Sequence, residues 1–493
     1  MPGRGAIVER GLQKNSYYIH GVDGHSYHVN KVSKGGRLSL RCIHYGSKRT
    51  CRARANMDRD GKNFRPGVNH RHNHPKSRNL VHERRFRARL LNQCRQLDCA
   101  DFSLKDLYNK VKREMRQEMH LSRDALVNVP YVKLRQSMQR ARAQILPRIP
   151  HTLTDLAHIL EDPNYKFLTD TLDGEDCIYL GKCGQSSLGT RCIIFASRRH
   201  LRYLSTKKFD IMSDATFSSV PGAIGAAQIW TILHLRRHHT TPLIRVLMQS
   251  KLQECYEEAL RAIRAVIPDF APQSVMCDFE AAQANAWKAV FPLIVVLGCF
   301  FHSSKAIAAK AKKLHLLQYI QRYEAIDSIV RSCCALALLP PEKMWDGLLV
   351  LSLRAQNEGF WNVLSHLFVY IRNTWYSASK LPMFCVYDAE DRTNNACESA
   401  NASLRAAVKH KHPNIWCFLN ALIDLEDSTE DDIYVLNSGR TPNRARGRTV
   451  LMNDETIAGL QADLQRDNIT IDDFLRQASR RVEGVYNIAL DLL

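Results

Sequence analysis

In the stretch RTNNACESAN, residues 392–401, one carboxylate, Glu398, stands among amides and small residues just ahead of a helical sequence ended by Pro413. Asn395, three residues earlier, approximates a capping box, in which two side chains satisfy free backbone N–H groups at a helix start. Two further acids bear on it, Asp214 in DATFSS and Asp278 in CDFE. Taken singly, each aspartate reads as a strand-end or turn residue. Held together, three carboxylates repel one another, and an oxygen-seeking Mg²⁺ or Mn²⁺ relieves that repulsion. A second set is of a different kind: Cys42 and Cys51 are followed by His72 and His74 in HRHNHP. Two thiolates and two imidazoles suit a tetrahedral Zn²⁺, with His70 as an alternative to either histidine. Cys299 and His302 form a third group, CxxH. It reads either as a buried thiol beside a hydrogen-bonded imidazole or as half of a zinc site, which would need two more ligands such as His410 and His412.

The elements that must carry these residues follow from periodicity. YHVNKV, RLSLRC and CRARANM alternate apolar or small residues with basic ones, so they predict short strands with Arg41, Arg52 and Arg54 toward one face. So small a sheet buries little apolar area, and a metal would supply the missing stability. Two helical stripes follow, Leu104 to Met119 and Tyr131 to Ile145, the second opened by Pro130 and closed before Pro147. Their outer faces hold Lys112, Arg113, Lys133, Arg135, Arg140 and Arg142, which suits either a helix-turn-helix-like DNA contact or a solvated basic face.

From about residue 206 the pattern changes. KKFDIMSDATFSSV, AIGAAQIWTILHL and PLIRVLMQS read as strands, ECYEEALRAIRAVIP as a helix, QSVMCDFE as a strand, AAQANAWKAVFP as a helix and LIVVLGCFF as a strand. Three strands, helix, strand, helix, strand is the order of a ribonuclease-H-like α/β core. It puts Asp214 inside the first strand and Asp278 at the end of the fourth. Residues 314–386 read as an all-helical insertion whose Trp345, Trp361 and Trp375 belong to its core. A basic link, GRTPNRARGR, and amphipathic helices end the chain.

Charge divides sharply. Residues 1–150 hold 33 Lys and Arg against 11 Asp and Glu, whereas the whole chain has a net charge of +21. The excess therefore lies in the first third, and a positive field so concentrated attracts a polyanion such as DNA by releasing its counterions. The 15 cysteines are odd in number and scattered, which suits reduced thiols and a metal better than a disulfide framework. With no apolar run of about 18 residues and no secretory segment, a soluble intracellular protein without membrane contact is expected.

DATFSSVP, CDFEAAQANAWKAVFP, GCFFH, ALALLPPEKMW and RTNNACESANASL resemble, in order and spacing, the Mutator-like element (MULE) transposase domain over roughly residues 206–424. The resemblance implies an Asp-Asp-Glu site at Asp214, Asp278 and Glu398, loaded with Mg²⁺ or Mn²⁺, that cuts transposon ends and joins the 3′-hydroxyl to target DNA. It also implies double-stranded DNA as partner, a homo-oligomer and a nuclear location; Cys299 and His302 match its CxxH without a role. The Cys/His set resembles a FLYWCH-type zinc finger, departing from it at Leu40, where that family has Trp. The expected organisation is a β-rich zinc finger at 1–78, a basic helical segment at 79–150 and a connecting region at 151–205. The α/β core then falls in two parts, 206–313 and 387–424, around the insertion at 314–386, with a helical tail at 425–493. The alternative reading is a domesticated, non-catalytic DNA-binding regulator. If the basic excess meets phosphates, binding of a 1–150 fragment to duplex DNA weakens with salt at a log–log slope of about 0.9 per phosphate contacted. A flat response in a salt titration would mark it as a solvated surface only.

Overall fold

The computed structural model describes residues 6–10, 17–46, 51–68, 71–76, 79–96, 103–184, 189–202, 209–222, 224–236, 238–389, 391–440, 442, 448–482, 484 and 486–487. His70 and most of the basic link lie outside them. The chain forms two compact units, Met1–Arg148 and Ile149–Leu493.

In the first unit, β1 (Ile7–Arg10), β2 (Tyr17–His20), β3 (Ser26–Val32), β4 (Leu38–Cys42), β5 (Arg54–Met57) and β6 (Arg65–Pro66) form an antiparallel sheet in chain order. The expected alternation holds: Cys51, Ala53, Ala55 and Met57 are buried while Arg52 and Arg54 are exposed. Ile19, Tyr27, Leu38 and Leu40 join Ala55 and Met57 in a small core, against which Phe64 packs. Leu40 is fully buried, and the aromatic contribution comes instead from the Tyr27 and Phe64 rings, 5.5 Å apart. Three helices follow, α1 (Leu80–Gln93), α2 (Leu104–Glu118) and α3 (Tyr131–Arg142), packed through Phe86, Leu90, Leu107, Val111, Leu134 and Met138. The stripes of α2 and α3 are the two expected. Helix α1 escapes a periodicity reading because its few buried positions are interleaved with Arg84, Arg85, Arg87 and Arg89.

The second unit opens with α4 (Leu153–Glu161), β7 (Tyr179–Cys183), β8 (Cys192–Phe195) and α5 (Arg198–Arg202). What reads as a connection at 151–205 thus supplies two strands, because four apolar residues in a row are too short to identify a strand by period. Next come β9 (Asp210–Thr216), β10 (Gln228–Arg236), β11 (His239–Met248), α6 (Gln253–Val266), β12 (Ser274–Cys277), α7 (Ala281–Val290) and β13 (Val295–Gly298). Each of these matches its segment in the sequence. The seven-stranded sheet has the order β13-β12-β9-β10-β11-β8-β7. Strand β9 lies between antiparallel β10 and parallel β12, and β13 is parallel to β12.

Beyond α8 (Phe300–Lys313), helices α9 (Leu317–Arg322), α10 (Glu324–Ala335), α11 (Met344–Asn357), α12 (Trp361–Thr374) and α13 (Leu381–Phe384) build the helical part. Helices α14 (Asn395–Val408) and α15 (Ile415–Asn437) return to the sheet, and α16 (Arg448–Gln465) and α17 (Ile471–Arg481) follow. One sheet face, with Trp230, Ile232, Ile244 and Val275, is covered by Tyr256, Leu260 and Ile263 of α6 and Trp287 of α7. On the other, Cys397 of α14 packs on Met212, Leu233 and Met276. The tail completes the insertion: Leu464, Phe474 and Leu475 share a core with Ile329, Leu351, Leu367 and Ile371. Trp375 is buried there and Trp361 stacks on Phe368, but Trp345, expected in the core, is 52% exposed.

Gly298 ends β13 immediately before the CxxH pair. A Cβ there would overlap the Phe279 ring and stand 2.9 Å from the Met383 carbonyl oxygen. Gly298→Ala is therefore expected to cost about 1–3 kcal/mol of stability, the usual penalty for overpacking. Denaturant unfolding measures this, and an unchanged midpoint would show that Phe279 swings aside without cost.

Candidate functional site

Strand β9 carries Asp214 in register with Thr231 of β10, and Asp278 directly follows β12, the parallel neighbour on the other side of β9. Helix α14 lies over this junction. Its Asn401, 4% exposed, donates from Nδ2 to Asp214 Oδ2 at 2.8 Å and accepts from Thr231 Oγ1 at 3.3 Å. Glu398 sits one turn earlier on the same helix, so positions i and i+3 share a face. Asn401 escapes a sequence reading, although ExxN at helical spacing is the signal that marks it.

Glu398 has no capping role. The helix is capped at Asn394 without a side-chain cap bond, and the Asn394 amide donates instead to the Ser213 carbonyl at 3.3 Å. The local pattern misleads because the helix starts one residue early, with Asn395 already inside it, so Glu398 lies one position beyond where a capping box needs its acid.

Cys299 and His302 now have contacts. Cys299 precedes α8, its sulfur accepting from the Asn394 N–H at 3.2 Å and its own N–H bonding the Cys277 carbonyl at 3.0 Å. This ties the starts of α8 and α14 to the end of β12. One turn into α8, His302 Nδ1 lies 2.8 Å from Asp278 Oδ1, and its Nε2 lies 4.0 Å from Glu398 Oε1. Burial works against a charged His302, yet hydrogen bonds to Asp278 and Cys299 and their charges hold its pKa up at about 10. The imidazolium therefore bridges two of the three acids. His412 Nδ1 meets the Val220 carbonyl at 3.2 Å, and among the described residues neither it nor His410 gathers with Cys299 and His302 into a metal-ligating set.

Burial, and then the neighbouring charge of Asp278, push the Asp214 carboxyl up to about 6, with Glu398 adding to the rise while the Ala215 N–H and His302 offset part of it. Such a carboxylate is short of positive charge. Glu398 has a side chain 52% exposed. The three acids converge on one region without closing on a common point: among the described residues, only the Cys/His set brings all its ligand atoms within 4.8 Å of one another.

That set is Cys42, Cys51, His72 and His74. Cys42 Sγ is 3.1 Å from His74 Nε2, Cys51 Sγ is 3.5 Å from His72 Nδ1, and the two ring nitrogens are 3.1 Å apart. Tetrahedral zinc with bonds of about 2.0–2.3 Å separates its ligand atoms by roughly 3.3–3.8 Å. The donor set and spacing are therefore consistent with Zn²⁺. The outer nitrogens are engaged as metal-bound histidines require: His74 Nδ1 donates to the Pro75 carbonyl at 3.0 Å, and His72 Nε2 meets the Tyr27 hydroxyl at 2.8 Å. That hydroxyl donates in turn to Asp23. Burial pushes the Cys42 thiol up to about 11, and burial with the charges of His25 and His74 lowers His72 to about 4, so this ring is neutral and ready to ligate.

The basic residues divide by contact. Arg52, Arg54, Arg113, Lys133, Arg135 and Arg140 are exposed. Arg41 lies over the Tyr45 ring, Lys112 donates to the Tyr108 hydroxyl at 3.2 Å, and Arg142 is half-buried. Residues 119–130, including a 3₁₀ turn at Arg123–Leu126, separate α2 from α3. A helix-turn-helix allows a turn of roughly three or four residues, so these two helices do not form one.

Residues 211–306 match the family model of the MULE transposase domain. No curated protein matches the chain. The match runs from β9 into α8 and so contains Asp214, Asp278, Cys299 and His302, with Glu398 and Asn401 beyond it. It points to a transposase-derived protein that contacts DNA.

A single zinc ion per chain is expected, lost from His72→Ala and Cys51→Ala alike, with chelation melting the 20–78 region. Metal analysis of the purified chain checks this, and a metal-free yet fully folded finger would count against it. Because the His72 pKa of about 4 lies below its ordinary 6.5, its stabilising contribution to the metal-free finger is complete above 6.5 and falls away as pH drops toward 4.

Proposed function

We propose that the protein is a Mutator-like DNA transposase in which Asp214, Asp278 and Glu398 hold divalent Mg²⁺ or Mn²⁺ to cut transposon ends and join the 3′-hydroxyl to target DNA. The observation that carries this reading is the Asp214 carboxyl, half-buried mid-strand beside Asp278 with its pKa raised to about 6. A charge deficit at that point suits an oxygen-ligated cation. The order β11-β10-β9-β12-β13, with three antiparallel strands and then two parallel ones, supports a ribonuclease-H-like core. When bound, the cations polarise an attacking water or 3′-hydroxyl and stabilise the departing oxygen of an in-line displacement.

The chain's own residues do the positioning. Asn401 fixes one oxygen of Asp214 and keeps the carboxylate from rotating. The His302 imidazolium supplies countercharge between Asp278 and Glu398. Glu398, with its side chain 52% exposed, would complete the set from the other side of His302. The basic face of the first unit and its zinc finger, of the FLYWCH type by resemblance, would hold the DNA, with the nucleus as the site of action and a homo-oligomer as the working form.

A domesticated DNA-binding regulator is the second reading. It is favoured by the imidazolium already satisfying two of the acids.

Cleavage of DNA carrying the cognate ends with Mg²⁺ separates the readings. Glu398→Gln and Asp214→Asn should fold normally, keep DNA binding and lose at least about a hundredfold in cleavage, as removal of several kcal/mol of transition-state stabilisation requires. A Glu398→Gln variant that cuts as well as wild type removes Glu398 from the site. A wild type that binds DNA yet cuts none with Mg²⁺ or Mn²⁺ makes the regulator the better account.

A further inference from the structure

Asp214 pairs with Thr231, and Thr231 in turn with Arg245 of β11. Residues directly opposite one another share a sheet face, so Arg245 stands two strand spacings, about 10 Å, from Asp214 on the face covered by α14 and α15. Arg245 is 5% exposed and makes no hydrogen bond or ion pair with any described residue. Glu426 reaches it only as a longer-range field, and that carboxylate is engaged by His200 Nδ1 at 2.6 Å. A guanidinium taken out of water without a close partner is costly, and the cost is relieved by an anion.

There is room for one. Arg245 lines a cavity of about 210 Å³ among the β10–β11 hairpin, α14 and α15. The hydroxyls of Thr241, Ser399 and Ser403 also line it and make no hydrogen bond to described residues. Those of Ser428 and Thr429 are turned to the Asp424 and Leu425 carbonyls. Sites for drug-sized ligands occupy roughly 300–1,000 Å³, so this one suits a small group. A guanidinium fork flanked by hydroxyl donors matches the oxygens of phosphate. Asp432 on the same wall opposes multiply charged anions and so favours a phosphate carrying a single charge.

We propose that this cavity binds a phosphate group, gripped by Arg245 with Thr241, Ser399 and Ser403 as hydroxyl donors. The phosphate comes either from the backbone of DNA lying beside the acids or from a free phosphate ion. The proposal does not depend on the acids being catalytic.

The test uses the full chain, with inorganic phosphate as one probe and a duplex oligonucleotide as the other. Inorganic phosphate at constant ionic strength should raise the Tm of wild type and leave that of Arg245→Met unmoved. In duplex binding, Arg245→Met should lower the salt slope by about 0.9 if the phosphate belongs to DNA. An unchanged slope with a retained phosphate-induced Tm rise in wild type assigns the site to the free ion. Should Arg245→Met fail to fold, Ser403→Leu at the exposed lip blocks the cavity without touching the core, and it should abolish the same responses. If phosphate leaves the Tm of wild type unmoved and neither variant alters the duplex salt slope, the proposal is overturned.

Discussion

The Asp214 carboxylate, half-buried in the middle of a sheet, is the charge that several elements of the second unit converge on. Its own strand serves it through the Ala215 N–H, and a further donor arrives from another element. That donor is Asn401 of α14, whereas Asp278 at the end of β12 adds a repelling charge that His302 of α8 offsets. These residues are 187 and 24 apart within their pairs. Position rather than local sequence makes the cluster.

The helices serve that geometry from a distance. The start of α8 is fastened by the Cys299 N–H to Cys277 and by the Phe300 N–H to the Arg392 carbonyl at 2.9 Å. The segment entering α14 is fastened by Asn394 to Cys299 and Ser213. Arg392 also reaches Asp454 of α16 at 2.8 Å, so the tail braces the segment that leads into the helix carrying Glu398. The tail's Leu464, Phe474 and Leu475 meanwhile close the core of the helical insertion. Insertion and tail are therefore one packed body through which the ends of the split core are held.

The first unit solves a different problem. Its sheet core is a handful of side chains around Tyr27, too little apolar area to stabilise so short a β structure unaided. The Cys42, Cys51, His72 and His74 set, consistent with a Zn²⁺ site, links the end of β4 and the segment before β5 to the His72–His74 segment, and the Tyr27 hydroxyl belongs to the core while contacting His72. Packing and ligation thus depend on the same residue.

Much was legible in the amino-acid order by itself. The division of charge, the Cys42, Cys51, His72 and His74 set, and the succession of strands and helices from β9 to β13 all follow from residue type and period, because burial of one face is a local, repeating demand. What only the tertiary structure decided are the pairings across the chain. Glu398 looks like a capping residue until the helix is seen to start at Asn395 with Asn394 as its cap; CxxH has no evident duty until α8 lies beside β12; Arg245 is an ordinary strand arginine until no hydrogen bond or ion pair from the described residues is found on it. Segment 151–205 and helix α1 hid for a related reason, their apolar runs being too short or too broken to show a period. Periodicity tells a side chain which way to face. Which group it meets there is set by packing between segments far apart in sequence, and the chemistry of this chain lies in those meetings.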